Sequence, residues 1–176
     1  MSLVDYSKHF GDKIQGSRKN TLLLSLVTKP RQDPPMSEQD REQSYLLASM
    51  SKQHSSSVCG FLGDSEHNKG LLLANIAYNS KKKVLFIRSE EIHQLSPSNL
   101  AKLIADSQQH NAIIYFDQAD DLISNNITYR NSHEEIDLDL VFRVIEKYQG
   151  LIIFSLTELV NAERLRARHF RVLESH

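Results

Sequence analysis

Residues 58–73 read VCGFLGDSEHNKGLLL: a short apolar run, a polar turn opening on Gly63, and a second apolar run. An unbroken apolar run implies a strand covered on both faces, as in a parallel sheet; a strand with one wet face alternates apolar with polar residues. The same grammar continues downstream, with strand-like runs KVLFIR (83–88), AIIYFD (112–117), LIIFSL (151–156) and FRVLE (170–174). Between them, apolar residues fall three or four apart over Lys69–Asn79, Ser98–His110 and Glu134–Gln149, which is helix spacing. Strands alternating with helices are the pattern of βαβ units. The expected fold is therefore α/β, a three-layer α/β/α sandwich around a five-stranded, mostly parallel sheet with its core in residues 58–174.

Upstream the pattern is weaker. Residues 1–36 read as an N-terminal arm, with a short helix over Asp5–Gln15, an apolar run over Thr21–Val27 and a break at Pro30, Pro34 and Pro35. The domain is expected to span 37–176. It opens on Ser37-Glu38-Gln39-Asp40, close to a capping box, followed by the helical stripe Tyr45, Leu46, Leu47 and Met50.

The composition narrows the classes. The chain has 176 residues, 40% of them apolar and 24% charged, enough for one domain with a real core. A formal net charge of -1 gives no global field to gather nucleic acid or an anionic membrane, so a nucleic-acid partner is disfavoured. No apolar run reaches the roughly 18 residues of a spanning helix. One cysteine, Cys59, lies in an apolar run and reads as a core residue, which suits a cytoplasmic setting. The eight histidines show no metal-ligand spacing. Asp137 and Asp139 point to different faces of a predicted helix, and Lys81–Lys83 read as a surface turn.

The turn after the first strand nearly matches a phosphate-binding fingerprint, in which a strand is followed by GxxxxGK, then Ser or Thr, then a helix. Here Gly63–Gly70 reads GDSEHNKG. The chemistry asks for backbone N–H groups around a phosphate, a lysine on its oxygens and a hydroxyl on magnesium. The candidate cofactor-binding residues are Gly63, Asp64, Ser65, Glu66, His67, Asn68, Lys69, Gly70 and Leu71. Asn68 replaces the second glycine and can adopt left-handed backbone, which would preserve the loop. Gly70 replaces the hydroxyl, which removes one ligand from magnesium and weakens the first helical turn by about 1 kcal/mol relative to Ala.

A second motif lies some 50 residues on. AIIYFDQADDLI closes a strand on Asp117, where a carboxylate can hold magnesium, and follows it with Gln118 where a glutamate would polarise water. With both motifs in this order the chain resembles the AAA+ ATPases, and within them a group of bacterial AAA proteins. The resemblance rests on FDQADDLIS (116–124), the loop Asn125–Ser132 and EKYQGLIIFSLT (146–157), and extends over about Val58–Glu174.

The resemblance implies ATP or ADP and Mg²⁺ as cofactors, with Asp117 as the metal residue. It implies catalytic roles for Asp117, Gln118, Thr157 at the sensor position and Arg166 as the arginine finger of RLRARHFR. It also implies a protein partner or homo- or hetero-oligomer contacted through Arg164–Arg171. Three departures stand out. The segment His93–Asn99 has neither the aromatic nor the glycine of a pore loop, the small helical lid after the fifth strand is expected to be missing here, and both motifs have lost a residue. Gln118 cannot accept a proton, a change worth roughly a hundred- to ten-thousand-fold where a carboxylate is the base. The expectation is a degenerate AAA+-like module that binds nucleotide weakly or not at all, with impaired hydrolysis, and acts in regulation or assembly. An active ATPase remodelling a protein partner and a DNA-associated loader or initiator regulator are the alternatives.

Overall fold

The computed structural model describes residues 10–13, 21–26, 30, 36–92, 96–124 and 138–174. Among the described residues seven strands form one sheet: β1 (Phe10–Lys13), β2 (Thr21–Leu26), β3 (Ser56–Leu62), β4 (Val84–Ile87), β5 (Ile113–Phe116), β6 (Gly150–Leu156) and β7 (Arg171–Glu174). Their order across the sheet is β1-β2-β4-β5-β6-β3-β7. β3 to β7 are the five strands read from the sequence, and they pair in parallel throughout.

The five-strand expectation is corrected by β1 and β2, which pair antiparallel with each other and carry the sheet on past β4. The stretch read as an arm thus contributes to the core. Leu23 and Leu24 are 2% and 1% exposed and pack on opposite faces of the sheet, as the two-residue strand period requires. The helix expected over Asp5–Gln15 is overturned at Phe10–Lys13, where a buried Phe10 and pairing with Leu23–Leu26 outweigh a weak local helical pattern. The rest of that span, Pro34, Pro35 and the loop 125–132 lie outside the described residues.

Helices cover both faces. On one, α1 (Glu38–Ser51) and α2 (Glu66–Ser80) bury Leu47, Leu73 and Ile76 against Cys59, Phe61, Tyr115 and Ile153. On the other, α4 (Pro97–His110), α5 (Asp120–Ser124), α6 (Leu138–Ile145) and α7 (Leu159–Ala167) pack on Ile114, Phe116, Ile152 and Phe154. A short α3 (Ser89–Ile92) follows β4. Alternate residues of β5 and β6 face the two layers, which is why their sequences read as unbroken apolar runs.

Local signals set the helix starts. Ser37 accepts a hydrogen bond from the N–H of Asp40 at 3.1 Å, so the capping pattern read there is realised. Ser65 does the same for Asn68 at 3.2 Å, and α2 begins at Glu66, ahead of the Lys69 start expected from spacing. Ser96 caps α4 with Pro97 at its first position, so the described part of the expected pore-loop segment is a helix start. In β3, a methyl at Gly60 would lie 2.8 Å from Leu165 Cδ1, so the bare glycine lets α7 pack directly on the strand. Among the described residues no helix is long and apolar enough to cross a membrane.

Candidate functional site

The sheet order sets β5, β6 and β3 side by side, so the segments that leave their carboxyl ends, beginning at Asp117, Thr157 and Gly63, are brought together. In open α/β sheets this is where ligands bind, at the point where the direction of chain progression reverses.

The turn from β3 into α2 is short, comprising Gly63, Asp64 and Ser65. Gly63 has φ 153°, a region open to glycine, and its N–H donates to the Leu156 carbonyl at 3.1 Å. Asn68 sits inside the helix with ordinary backbone, so the left-handed role read for it does not arise. Two amides of the fingerprint are internally satisfied, Asn68 N–H by Ser65 Oγ at 3.2 Å and Lys69 N–H by the Ser65 carbonyl at 3.1 Å. Asp64 is exposed, Glu66 and His67 are half-buried on the first turn, and Gly70 and Leu71 are buried.

Lys69 is 0% exposed. Its Nζ donates to Ser155 Oγ at 3.0 Å and to the Leu156 carbonyl at 2.9 Å, both on β6. The ammonium expected over the turn therefore fastens α2 to the neighbouring strand. Burial lowers its pKa, and the nearby carboxylates of Glu66, Asp120, Asp117 and Asp64 oppose that shift.

Asp117, at the end of β5, is 5% exposed, and its Oδ1 is buried with no hydrogen-bond partner among the described residues. Its pKa is pushed up to about 7, first by burial and then by the negative charge of Glu66, with Lys69 pulling the other way. Gln118 follows with φ 48°, a left-handed angle that turns the chain from β5 toward α5 and costs a non-glycine residue roughly 1 kcal/mol.

Asp120 draws the far side together. Its Oδ2 accepts from the Thr157 N–H at 2.9 Å and the Thr157 hydroxyl at 3.1 Å, and its Oδ1 from the Glu158 N–H at 3.0 Å and Asn161 Nδ2 at 2.9 Å. Glu158, the N-cap of α7, makes no side-chain cap of its own, so Asp120 supplies the carboxylate that this helix start lacks.

The arginines lie apart from this cluster. Arg166 pairs with Glu163 and, at 3.1 Å, with Glu174. Arg164 donates to the Ile123 carbonyl at 3.1 Å, while Arg168 pairs with Asp139 and lies 4.4 Å over the Phe142 ring. Asp139, placed by the sequence on a helix face away from Asp137, is one half of that pair. Ser155 and Asp120 were not singled out from sequence. Ser155 had a signal, as the lone polar residue inside LIIFSL; Asp120 had none that separates it from Asp121.

These residues do not fit Mg·ATP as the two motifs intend. The ammonium already makes two hydrogen bonds to protein oxygens, Gly70 offers no hydroxyl, and four carboxylates lie near enough to act on Lys69. Among the described residues no three His, Cys, Asp or Glu side chains form a group able to hold a metal.

No family model matches the chain, and no curated protein matches it. Solved structures do match. One, from work on the structural basis for katanin self-assembly, superposes with a TM-score of 0.56 at 13% identity, over 84% of this chain and 53% of that one. This chain therefore spans about half the length of that protein. At this identity the likeness is one of fold alone: the chain shares the α/β fold of that structure.

Proposed function

We propose that this chain is an AAA-like module in which the phosphate-binding position has become structural, so that it acts in regulation or assembly without turning over ATP. The carrying observation is Lys69, fully buried and hydrogen-bonded to Ser155 and Leu156 of the adjacent strand. Binding a phosphate through this ammonium would require breaking both bonds and moving the side chain out of the core. Gln118, Gly70 and the commitment of the Thr157 hydroxyl to Asp120 support the same reading. In this reading Arg166 serves its own chain through Glu163 and Glu174, and no arginine finger is assigned to it. Steady-state phosphate release tests the proposal. The expected rate with Mg·ATP matches that of Lys69→Ala, whereas robust turnover abolished by Lys69→Ala would reverse it.

One observation favours a second reading, ATP hydrolysis completed by groups from a partner. The buried Oδ1 of Asp117 lacks a partner among the described residues at the position where a carboxylate would face Mg²⁺. Phosphate release that appears only when a candidate partner is added would select it.

A further inference from the structure

Two clefts, of about 450 and 490 Å³, adjoin on the α1–α2 side of the molecule and share Tyr78 and Asn79. The first is walled by Arg41 and Tyr45, the second by Lys81, Lys82 and Lys83, and none of the described residues lining either is acidic. Tyr45 is 57% exposed and Tyr78 42%, and the two clefts carry four cations between them. Lys82 is anchored, donating to the Ser51 carbonyl and, at 3.2 Å, to Asn111 Oδ1. Lys81 and Lys83 are exposed and enter no ion pair among the described residues. The arginines of α7 contrast with them, since Arg164, Arg166 and Arg168 are all engaged within the chain. A lysine after a helix ordinarily offsets the negative end of the helix dipole, and Lys81 at the end of α2 does so. That role accounts for neither two exposed tyrosines nor Arg41 on the same surface.

A positively charged groove interleaved with exposed aromatic rings is what an unpaired nucleic-acid strand requires: cations follow the phosphates, and rings stack on bases of any sequence. We infer that the Arg41–Tyr45–Tyr78–Lys83 groove binds single-stranded nucleic acid. It lies at the carboxyl end of α2, about 20 Å along that helix from the Gly63–Lys69 turn, so it does not depend on the state of that turn. The near-neutral net charge does not oppose this, because Arg41, Lys81, Lys82 and Lys83 line the two adjoining clefts and so form a local patch.

Fluorescence anisotropy with a labelled oligothymidylate of about 16 nucleotides tests the inference. Expected is binding at low salt whose log affinity falls with log salt at a slope of roughly -2, as three phosphate contacts on a single strand give. Lys81→Glu with Lys83→Glu should weaken it at least about ten-fold and flatten that slope. Tyr45→Ala and Tyr78→Ala should each weaken it about ten-fold while leaving the slope unchanged, because stacking releases no counterions. Tyr→Leu at the same positions keeps the bulk if the alanine variants fail to fold. The inference is overturned if no binding appears at about 50 mM salt, or if binding survives the lysine reversals. It is equally overturned if duplex DNA binds as well as the single strand, or if the tyrosine variants bind normally and polyglutamate competes equally, which would point to an acidic protein partner.

Discussion

One carboxylate oxygen of Asp120, Oδ2, accepts both the backbone N–H and the hydroxyl of Thr157, at 2.9 and 3.1 Å. With Glu158 N–H and Asn161 Nδ2 on its other oxygen, Asp120 caps α7 from a position 37 residues upstream of Thr157. Thr157, for which the resemblance implies a sensor role, is thereby part of a structural joint. Asp120→Ala should cost about 2–3 kcal/mol and loosen α7. A double-mutant cycle with Thr157→Val, read by urea unfolding, should give a coupling of about 1 kcal/mol. Additive effects would show that the two residues act independently.

Lys69→Ala should behave as a core mutation. It removes a buried side chain that holds α2 to β6 and leaves Ser155 Oγ without its donor. The expected loss is about 3 kcal/mol, or a fall in Tm on the order of 10 °C for a chain of this size. Ser155→Ala should cost roughly 1–2 kcal/mol by removing one charge-assisted hydrogen bond. Thermal unfolding checks both, and a Lys69→Ala variant as stable as the parent would mean that the ammonium is not a structural bolt.

Asp117 gives the stability a pH dependence. Its folded pKa is pushed up to about 7 from an ordinary 3.8, so the folded chain holds this proton more tightly than the unfolded chain does. The resulting stabilisation is complete below the unfolded value and is lost as pH rises through about 7, a change on the order of a few kcal/mol. Urea midpoints should therefore fall between about pH 5 and pH 8 in the parent, with that component absent in Asp117→Asn. Identical pH profiles for the two proteins would contradict the assignment.

Gly60→Ala tests the contact between β3 and α7. The added methyl would meet Leu165 Cδ1 at 2.8 Å, and Leu165 is itself 0% exposed, with little room to turn. The expected cost is about 1–3 kcal/mol, with an unchanged urea m-value. A neutral substitution would mean that α7 stands further from the strand.

The parallel strands β3 to β6 were legible because strands buried on both faces write unbroken apolar runs, and Phe116 and Phe154 are fully buried in such runs. The β1–β2 pair was not, since β1 has only four residues and β2 gains its place in the sheet by pairing with Val84–Ile87, far along the chain. The turn was half legible. Spacing located Gly63 and Lys69, but the direction of the lysine side chain depends on Ser155, a residue 86 positions away in β6. For the same reason the arginines of α7 looked like free cations, and only tertiary structure shows Glu174, Asp139 and the Ile123 carbonyl taking them up.

The most direct measurement is isothermal titration of the parent chain with Mg·ATP. If Lys69 is committed to Ser155 and Leu156, no saturable heat should appear up to about 1 mM ligand, leaving less than about 4 kcal/mol of binding free energy. A micromolar Kd, abolished by Lys69→Ala in a variant that keeps its fold, would contradict it.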